Sequence, residues 1–563
     1  MIRRNCTKIS IAILLATVVN AFAGNFMMLA ASNTHKADVI VYGDAAVGVS
    51  AAVQAARMGK SVILVSQYGH LGGLTSSGLG WTDIGNSSIL GGISREFYHR
   101  VYLHYQDPAA WSSVEAMERF PKRGQGAPTF DGATQLASVF EPKVAEKIFE
   151  ELVAESGVQV IEGRLNLSDG ADREGARIKA IRLEDGTVLE GSMFIDASYE
   201  GDLLEEAGVS FQVGREANEE YGETGNGITG ALPTNQLPDG IDPYVVPGNP
   251  KSGLLAGVNP TLGGEVGDAD HRLQAFCYRM VLTDDPDSRT IIDKPKTYQE
   301  ADYEILFRAI EAGQDSGFFK TSPMPNAKTD SNNASGISTD YIGMNYSELA
   351  PDHPDYWDWT TLSHEEREAV AAKHRDWQLG LVWTLQNHDR IPEGIRTELA
   401  RWGLPKDEFP DNGHWPYNLY VREGRRMISD VVMTERHCRG REVVHDSIGK
   451  GAYTMDSHNT QRFVSNGMVK NEGDIQVSLG GEPYAISYRA IIPRKGECEN
   501  LLVPWCLSST HIAFGSIRME PVGMILGQSA ATAASLAIDE GVSVQDVDYD
   551  KMKEQLIADG QRL

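Results

Sequence analysis

Gly43, Ala45 and Gly48 stand in a G-x-A-x-x-G spacing, after the apolar run Val39-Ile40-Val41-Tyr42 and before an Ala-rich stretch. Residues of these types at this spacing bind phosphate. Gly43 permits a tight turn out of a strand, and Gly48 lets the next helix pack close to the sheet. The free N–H groups at the helix start, Ala46 among them, attract the pyrophosphate of a dinucleotide. Ala45 takes the place of the middle glycine, where a methyl group restricts but does not forbid backbone approach to phosphate. Further on, His70-Leu71-Gly72-Gly73-Leu74-Thr75 offers a glycine pair after a second apolar run. A pair in that place points to FAD more than NAD, with Gly72, Gly73 and Thr75 as cofactor contacts.

The elements that position these residues appear in the required order. A strand over 39–42 leads to a helix from Ser50 to Met58 that stops at Gly59, and a second strand follows at Ser61-Val62-Ile63-Leu64-Val65. The whole fits the roughly 30 residues of one βαβ unit. One departure stands out. The acid that holds the ribose hydroxyls about 20 residues on is replaced by Ser66, followed by Gln67. Either side chain can bond a hydroxyl, but without charge assistance.

Composition bounds the rest. At 563 residues the chain holds two or more domains, and its 57 glycines exceed the average share of roughly 7%. Residues 1–31 read as an export signal: Arg3 and Arg4, an apolar stretch from Ile11 to Val19, then Ala21-Phe22-Ala23 as a small-residue cleavage site. The stretch is shorter than the roughly 20 residues of a membrane span, and Arg3-Arg4 resembles a Tat signal. Removing three basic residues and no acids takes the net charge from −27 to −30. Such a surface repels nucleic acid and anionic membranes; the expected partners are a small-molecule substrate and an unidentified electron acceptor, with no nucleic acid and no stable membrane insertion after signal removal. Cys277, Cys438, Cys498 and Cys506 remain after the signal and allow three full pairings. No His or Cys pair has zinc spacing, so no metal is expected.

Along the chain, Glu141 to Glu155 has helical spacing and Val158 to Ile161 reads as a strand. Glu184-Asp185-Gly186 between Arg177–Arg182 and Thr187–Leu189 signals a hairpin. From Val209 to about Gly480 turn-rich stretches alternate with helical ones, notably Tyr298 to Ala312 and His364 to His388. The chain then returns through a strand at Leu501-Leu502-Val503 to a small-residue helix, Pro521 to Ala537. Its N-terminus, with Glu520 and Gly523, offers partial positive charge to flavin oxygens. The expected architecture is α/β: a Rossmann-like FAD-binding domain in two parts, 37–208 and 481–563, with an inserted α+β substrate or cap domain at 209–480.

Four blocks carry a resemblance: His70 to Asp83 (HLGGLTSSGLGWTD), Phe194 to Leu204 (FIDASYEGDLL), Tyr420 to Met427 (YVREGRRM) and His511 to Gln528 (HIAFGSIRMEPVGMILGQ). In this order they resemble the exported bacterial FAD-dependent oxidoreductases of the FAD_oxidored family. The resemblance implies the glutathione-reductase-type FAD fold and adds Ala197, Gly201 and Asp202 to the cofactor contacts. It names no substrate.

A flavin enzyme must place a C–H bond at the cofactor and handle a proton, most often with histidine. His511, shortly before Pro521, and His458 in Asp456-Ser457-His458-Asn459 are the candidates. Arg518 is placed to bind a substrate oxygen or steady reduced flavin, with Glu520 holding it. Arg422, Arg425 and Arg426 lie at helical spacing, with Arg422 and Arg426 on one face that could receive a carboxylate. Arg489 and the Asn-rich segment 328–340 join that site on the resemblance alone. His70 is the side chain nearest the glycine pair for a covalent flavin link, though packing within its loop is the simpler role. The expected function is an exported FAD-dependent dehydrogenase or oxidase that takes a hydride from a small polar substrate, such as a carbohydrate or sugar acid. The alternatives are a flavin-assisted redox-neutral elimination or isomerisation on a glycan, and a non-catalytic glycan-binding protein that retains the fold.

Overall fold

Val39, Ile40 and Val41 are apolar in succession rather than in alternation, which suits a parallel strand covered on both faces. A computed structural model describing residues 33–125 and 127–563 places them at the centre of β1 (Thr34–Tyr42). The segment 1–31 read as an export signal lies outside the described residues. β1 pairs in parallel with β2 (Val62–Ser66), which pairs with β3 (Gln159–Glu162). Strands β4 (Ala171–Glu174), β5 (Arg177–Arg182) and β6 (Val188–Asp196) form an antiparallel meander. Its last strand returns parallel to β1, with Val39 opposite Met193. The expected hairpin is therefore present, and β4 is a further strand that its polar sequence, Ala-Asp-Arg-Glu, concealed.

The sheet order is β3-β2-β1-β6-β5-β4. Outside the signal-like segment the chain also carries, in its middle, a small antiparallel sheet of β7 (Met280–Thr283), β8 (Ser322–Met324) and β9 (Lys328–Ser331), in the order β7-β9-β8. The central sheet gains its seventh strand late, when β10 (Leu501–Leu502) lies parallel to β6.

Helix α1 (Ala46–Arg57) begins four residues before the expected Ser50, because Gly43 to Ala45 complete the turn and nothing in Ala46-Val47-Gly48-Val49 resists the helix. α2 (Pro142–Ser156) has Pro at its start and Gly157 in the left-handed conformation at its end. α3 (His364–Asn387) opens on a Ser363–Glu366 capping box. The helix expected over Tyr298–Ala312 is shorter, a 3-10 turn at Glu300–Tyr303 running into Glu304–Glu311. α4 (His511–Ile517) and α5 (Glu520–Glu540) close the fold. α5 is long and apolar enough to cross a membrane, but 89% of its apolar window is buried within the protein. A single buried apolar cluster joins Val39, Phe276, Trp359 and Ile525, so residues 209–480 share a core with the rest.

Small residues let α5 lie against α1. A Cβ on Gly527 would stand 2.1 Å from the carbonyl oxygen of Val47, and one on Gly523 would stand 2.8 Å from the Trp505 ring. Helix axes cannot approach this closely past a branched side chain. Gly527→Val is expected to destabilise the protein by about 3 kcal/mol, read as a lowered midpoint in urea unfolding.

Candidate active site

The nucleotide end is built from the C-terminal ends of β1, β2 and β6. Gly43 has a φ of +108°, and a Cβ there would stand 2.6 Å from the Ala197 carbonyl carbon. A Cβ on Gly48 would stand 1.9 Å from Gly43 O, so turn, helix and returning strand touch backbone to backbone. Ala45 caps α1 with no side-chain bond, and no acid occupies the first turn. The helix start therefore keeps its attraction for an anion. Beside it opens a cavity of about 780 Å³ lined by Gly43, Asp44, Ala45, Gln67 and Ala197 among others. An uncapped helix N-terminus, a glycine turn and a cavity at the strand ends fit the pyrophosphate and adenosine of a dinucleotide cofactor, with Ala45, Ala46 and Ala197 small enough to admit it.

The end of β2 differs from expectation. Ser66 is fully buried and donates its hydroxyl to Asp44 Oδ2 at 2.5 Å, so it is not free to reach a ribose. Gly72 donates its N–H to the Asp44 carbonyl at 2.8 Å. A Cβ on Gly72 would meet Phe149, and one on Gly73 would meet the Tyr199 hydroxyl, each at 2.3 Å. Thr75 and Tyr199 both donate to the Glu520 carboxylate, at 3.0 and 2.8 Å. Glu520 thus ties the glycine-pair loop to the start of α5 and does not hold Arg518. Burial pushes its carboxyl up to about 7, against the two donors. Asp202, which follows the left-handed Gly201, is fully engaged by Arg367 at 2.7 and 2.8 Å and by Arg425 at 3.0 Å. Burial would raise its carboxyl, and the two guanidiniums hold it below the usual range. Asp202 therefore fastens β6 to α3 and has no free oxygen for the cofactor.

A second cavity, of about 1080 Å³, is strongly polar. Cys277 and Tyr420 bridge two extended segments, with Tyr420 N–H donating to Cys277 O at 2.9 Å. Side chains alternate across this wall: Tyr278, Leu419 and Val421 line the nucleotide cavity, while Arg279 and Tyr420 line the polar one. His458 lines the polar cavity, its Nδ1 2.7 Å from Asp340 Oδ2 and its Nε2 3.6 Å from Asp456 Oδ2. Arg422 approaches the other Asp340 oxygen at 3.0 Å as a charge contact without hydrogen-bond alignment. Burial would raise Asp340, and Arg422 and His458 hold it far below the usual carboxylate range. Arg518 donates to the Tyr420 hydroxyl at 2.6 Å and lies 3.4 Å from Asp456. Three guanidiniums thus surround one ring, with Arg279, Arg422 and Arg518 at 5.9, 4.7 and 5.5 Å from the Tyr420 centroid. Each has its own carboxylate, in Asp330, Asp340 and Asp456.

Trp81, Asp83, Lys320 and Tyr453 complete the cavity, and Asn332 and Asn333 bring in the Asn-rich segment. Asp83 accepts from the Tyr453 hydroxyl at 3.2 Å, and burial raises its carboxyl. Trp81 and Asp83 lie inside the first resemblance block, yet the bond of Asp83 with Tyr453 across the fold has no local signal. Of the expected residues, His458 and Arg518 come together here, with Arg422 behind them.

The others lie elsewhere. His511 is buried with Nδ1 2.8 Å from Glu423, and lines neither cavity. Burial, then Arg426 and Arg215, push it down to about 3. No helix spans Arg422 to Arg426. Arg426 lies in a two-residue strand, bonded to Glu423, Glu216, Gly214 O and Ser509 O, and is fully buried away from both cavities, so it does not receive a substrate carboxylate. Arg489 is half-exposed on Asp446, at 2.9 Å, away from both cavities. His70 bonds Glu146 and Ser76 O and stacks on Tyr417, which occupies both ring nitrogens. Among the described residues, Cys277, Cys438, Cys498 and Cys506 are buried and form no disulfide.

A family model described as FAD dependent oxidoreductase matches residues 38–556. No curated protein matches this chain. Among solved structures, the chain is similar to a 3-ketosteroid-delta4-(5alpha)-dehydrogenase from Rhodococcus jostii RHA1, at 16% identity over 32% of this chain and 50% of that one, with a TM-score of 0.19. It is also similar to an L-proline dehydrogenase from P. horikoshii, at 15% identity over 33% and 59% with a TM-score of 0.23. An L-amino acid deaminase from Proteus vulgaris is similar at 14% identity over 35% and 54%, with a TM-score of 0.21. The chain therefore spans little more than half the length of these three proteins.

The Glu520 carboxyl supplies a pH prediction. Its folded pKa of about 7 lies above the ordinary 4.5, so the folded state binds the proton more tightly and stability falls as pH rises between those values. Glu520→Gln removes this loss. Its stability relative to wild type is expected to rise by about 1–3 kcal/mol between pH 5 and pH 8, measured by urea unfolding of the cofactor-free protein at both pH values.

Proposed function

This chain belongs to the FAD-dependent oxidoreductase family, and we propose that it is an exported dehydrogenase or oxidase that oxidises a hydroxyl-bearing carbon of a carbohydrate or sugar acid. The observation that carries this reading is the polar cavity around His458, with the Tyr420 wall separating it from the nucleotide end. The sheet order and the split cofactor region suit a glutathione-reductase-type FAD fold.

The Gly43 turn and the start of α1 would hold FAD, which would supply the hydride acceptor. The chain's own residues bind the substrate and take its proton. Trp81 and Tyr453 offer aromatic surface to a sugar ring, and Asp83, Asn332 and Asn333 offer acceptors and donors to its hydroxyls. Lys320, at the rim and exposed, offers a cation to a substrate carboxylate. With Nδ1–H donated to Asp340, His458 keeps Nε2 as the acceptor for the hydroxyl proton. Asp340 fixes that tautomer and stabilises the imidazolium that results, as the orienting carboxylate does in other acid–base pairs. Tyr420 lines the cavity, and Arg518, buried behind it and donating to its hydroxyl, lends positive charge that steadies negative charge as the proton leaves.

Anaerobic mixing with a panel of neutral sugars and sugar acids is expected to bleach the bound flavin with at least one of them. His458→Ala is expected to slow that bleaching by about 10²–10⁴-fold with the flavin spectrum unchanged. Bleaching by no member of the panel, or product formed without any acceptor, would overturn the oxidation; the second result would establish the redox-neutral reaction.

A further inference from the structure

The carboxylate missing from the end of β2 has a replacement in the structure. Asp44 belongs to the turn after β1, but its side chain crosses to β2, where Oδ2 accepts the Ser66 hydroxyl at 2.5 Å and the Gln67 N–H at 3.2 Å. We propose that Asp44 is the acid that binds the adenosine ribose of FAD, delivered from the first turn instead of the second strand.

Three observations support the exchange. Ser66 cannot serve, since its hydroxyl is buried, donates to Asp44 and accepts the Gly69 N–H at 2.9 Å. The Gln67 side-chain amide is engaged with the Tyr68 hydroxyl at 2.9 Å. Both donors to Asp44 fall on Oδ2, which leaves Oδ1 without a donor from another described residue, on a side chain that lines the nucleotide cavity. The arrangement has a physical logic. A carboxylate held at its β2 side by a hydroxyl and a backbone N–H is fixed in orientation before the ligand arrives, and its free oxygen can accept from a 2′- or 3′-hydroxyl. The same charge repels a 2′-phosphate, so the site takes an unmodified ribose. Glycine or alanine at position 44 would satisfy the tight turn equally well, and the acid there is unexplained by the turn itself.

The proposal rests on FAD occupying the first cavity, and the test separates the two. The ratio of dissociation constants for FAD and its 2′,3′-dideoxyadenosine analogue is measured on cofactor-stripped protein by flavin fluorescence. Wild type is expected to prefer FAD by ~10-fold or more, the size of a charge-assisted bond. Asp44→Asn, which keeps the side chain's size, is expected to reduce the ratio to about 3 or less. Adding Ser66→Glu to Asp44→Ala is expected to restore it by returning the acid to the strand end. A wild-type ratio near 1, or an Asp44→Asn ratio within twofold of wild type, overturns the role of Asp44 while leaving FAD binding intact. Failure of wild type to bind FAD at all would overturn the cofactor site and this inference with it.

Discussion

Buried guanidiniums paired with carboxylates organise the protein around its two cavities. Asp202 meets Arg367 and Arg425, and Asp330, Asp340 and Asp456 each meet one of the arginines around Tyr420. Taking two ions out of water often costs as much as their attraction returns, so such pairs add little net stability. Removing one partner leaves an uncompensated charge and is far more damaging. The pairs therefore act as registration marks. They dictate which loop of residues 209–480 lies against which strand end, and the cavities inherit their shape from that registration.

The wall between the cavities shows how little chain is needed once registration is fixed. Two extended segments, joined through Cys277 and Tyr420, send alternate side chains to opposite sides. Period two does the partitioning. Tyr278, Leu419 and Val421 give the nucleotide side an apolar face, while Arg279 and Tyr420 give the other side charge and a hydroxyl. A one-residue slip would exchange these faces, and Arg422 on Asp340, immediately beyond the segment, resists it.

What the sequence made legible was local. The G-x-A-x-x-G turn, the Glu184–Gly186 hairpin and the small-residue helix each announce themselves within a few residues, because backbone sterics and packing distance act at that range. The polar cavity did not announce itself, since Asp83, Arg279, Tyr420, Tyr453 and His458 are spread over more than 370 residues and meet only through tertiary packing. Helical spacing misled at Arg422 and Arg426 for the same reason. Gly424 sits 2.9 Å, by its Cβ position, from the Tyr199 backbone, and that close approach holds the segment extended where the charge pattern alone suggests a helix.

Nearness in sequence to a cofactor helix also proved a poor guide to which histidine handles a proton. His511 begins the helix that precedes α5, but it is sealed beside Glu423 and Arg426 and held neutral to about pH 3 by burial and by two arginines. A group in that state neither meets a substrate nor accepts a proton near neutrality. His458 lies more than fifty residues earlier, at a cavity wall, with Asp340 on Nδ1 and with Nε2 3.6 Å from Asp456 at the cavity. A proton acceptor needs access first, then a partner that fixes its tautomer, and only then a suitable affinity. His458 meets the first two conditions through Asp340 and the cavity, and Arg422 keeps Asp340 charged beside it. The proposed chemistry therefore depends on the same Arg–Asp registration that shapes the fold.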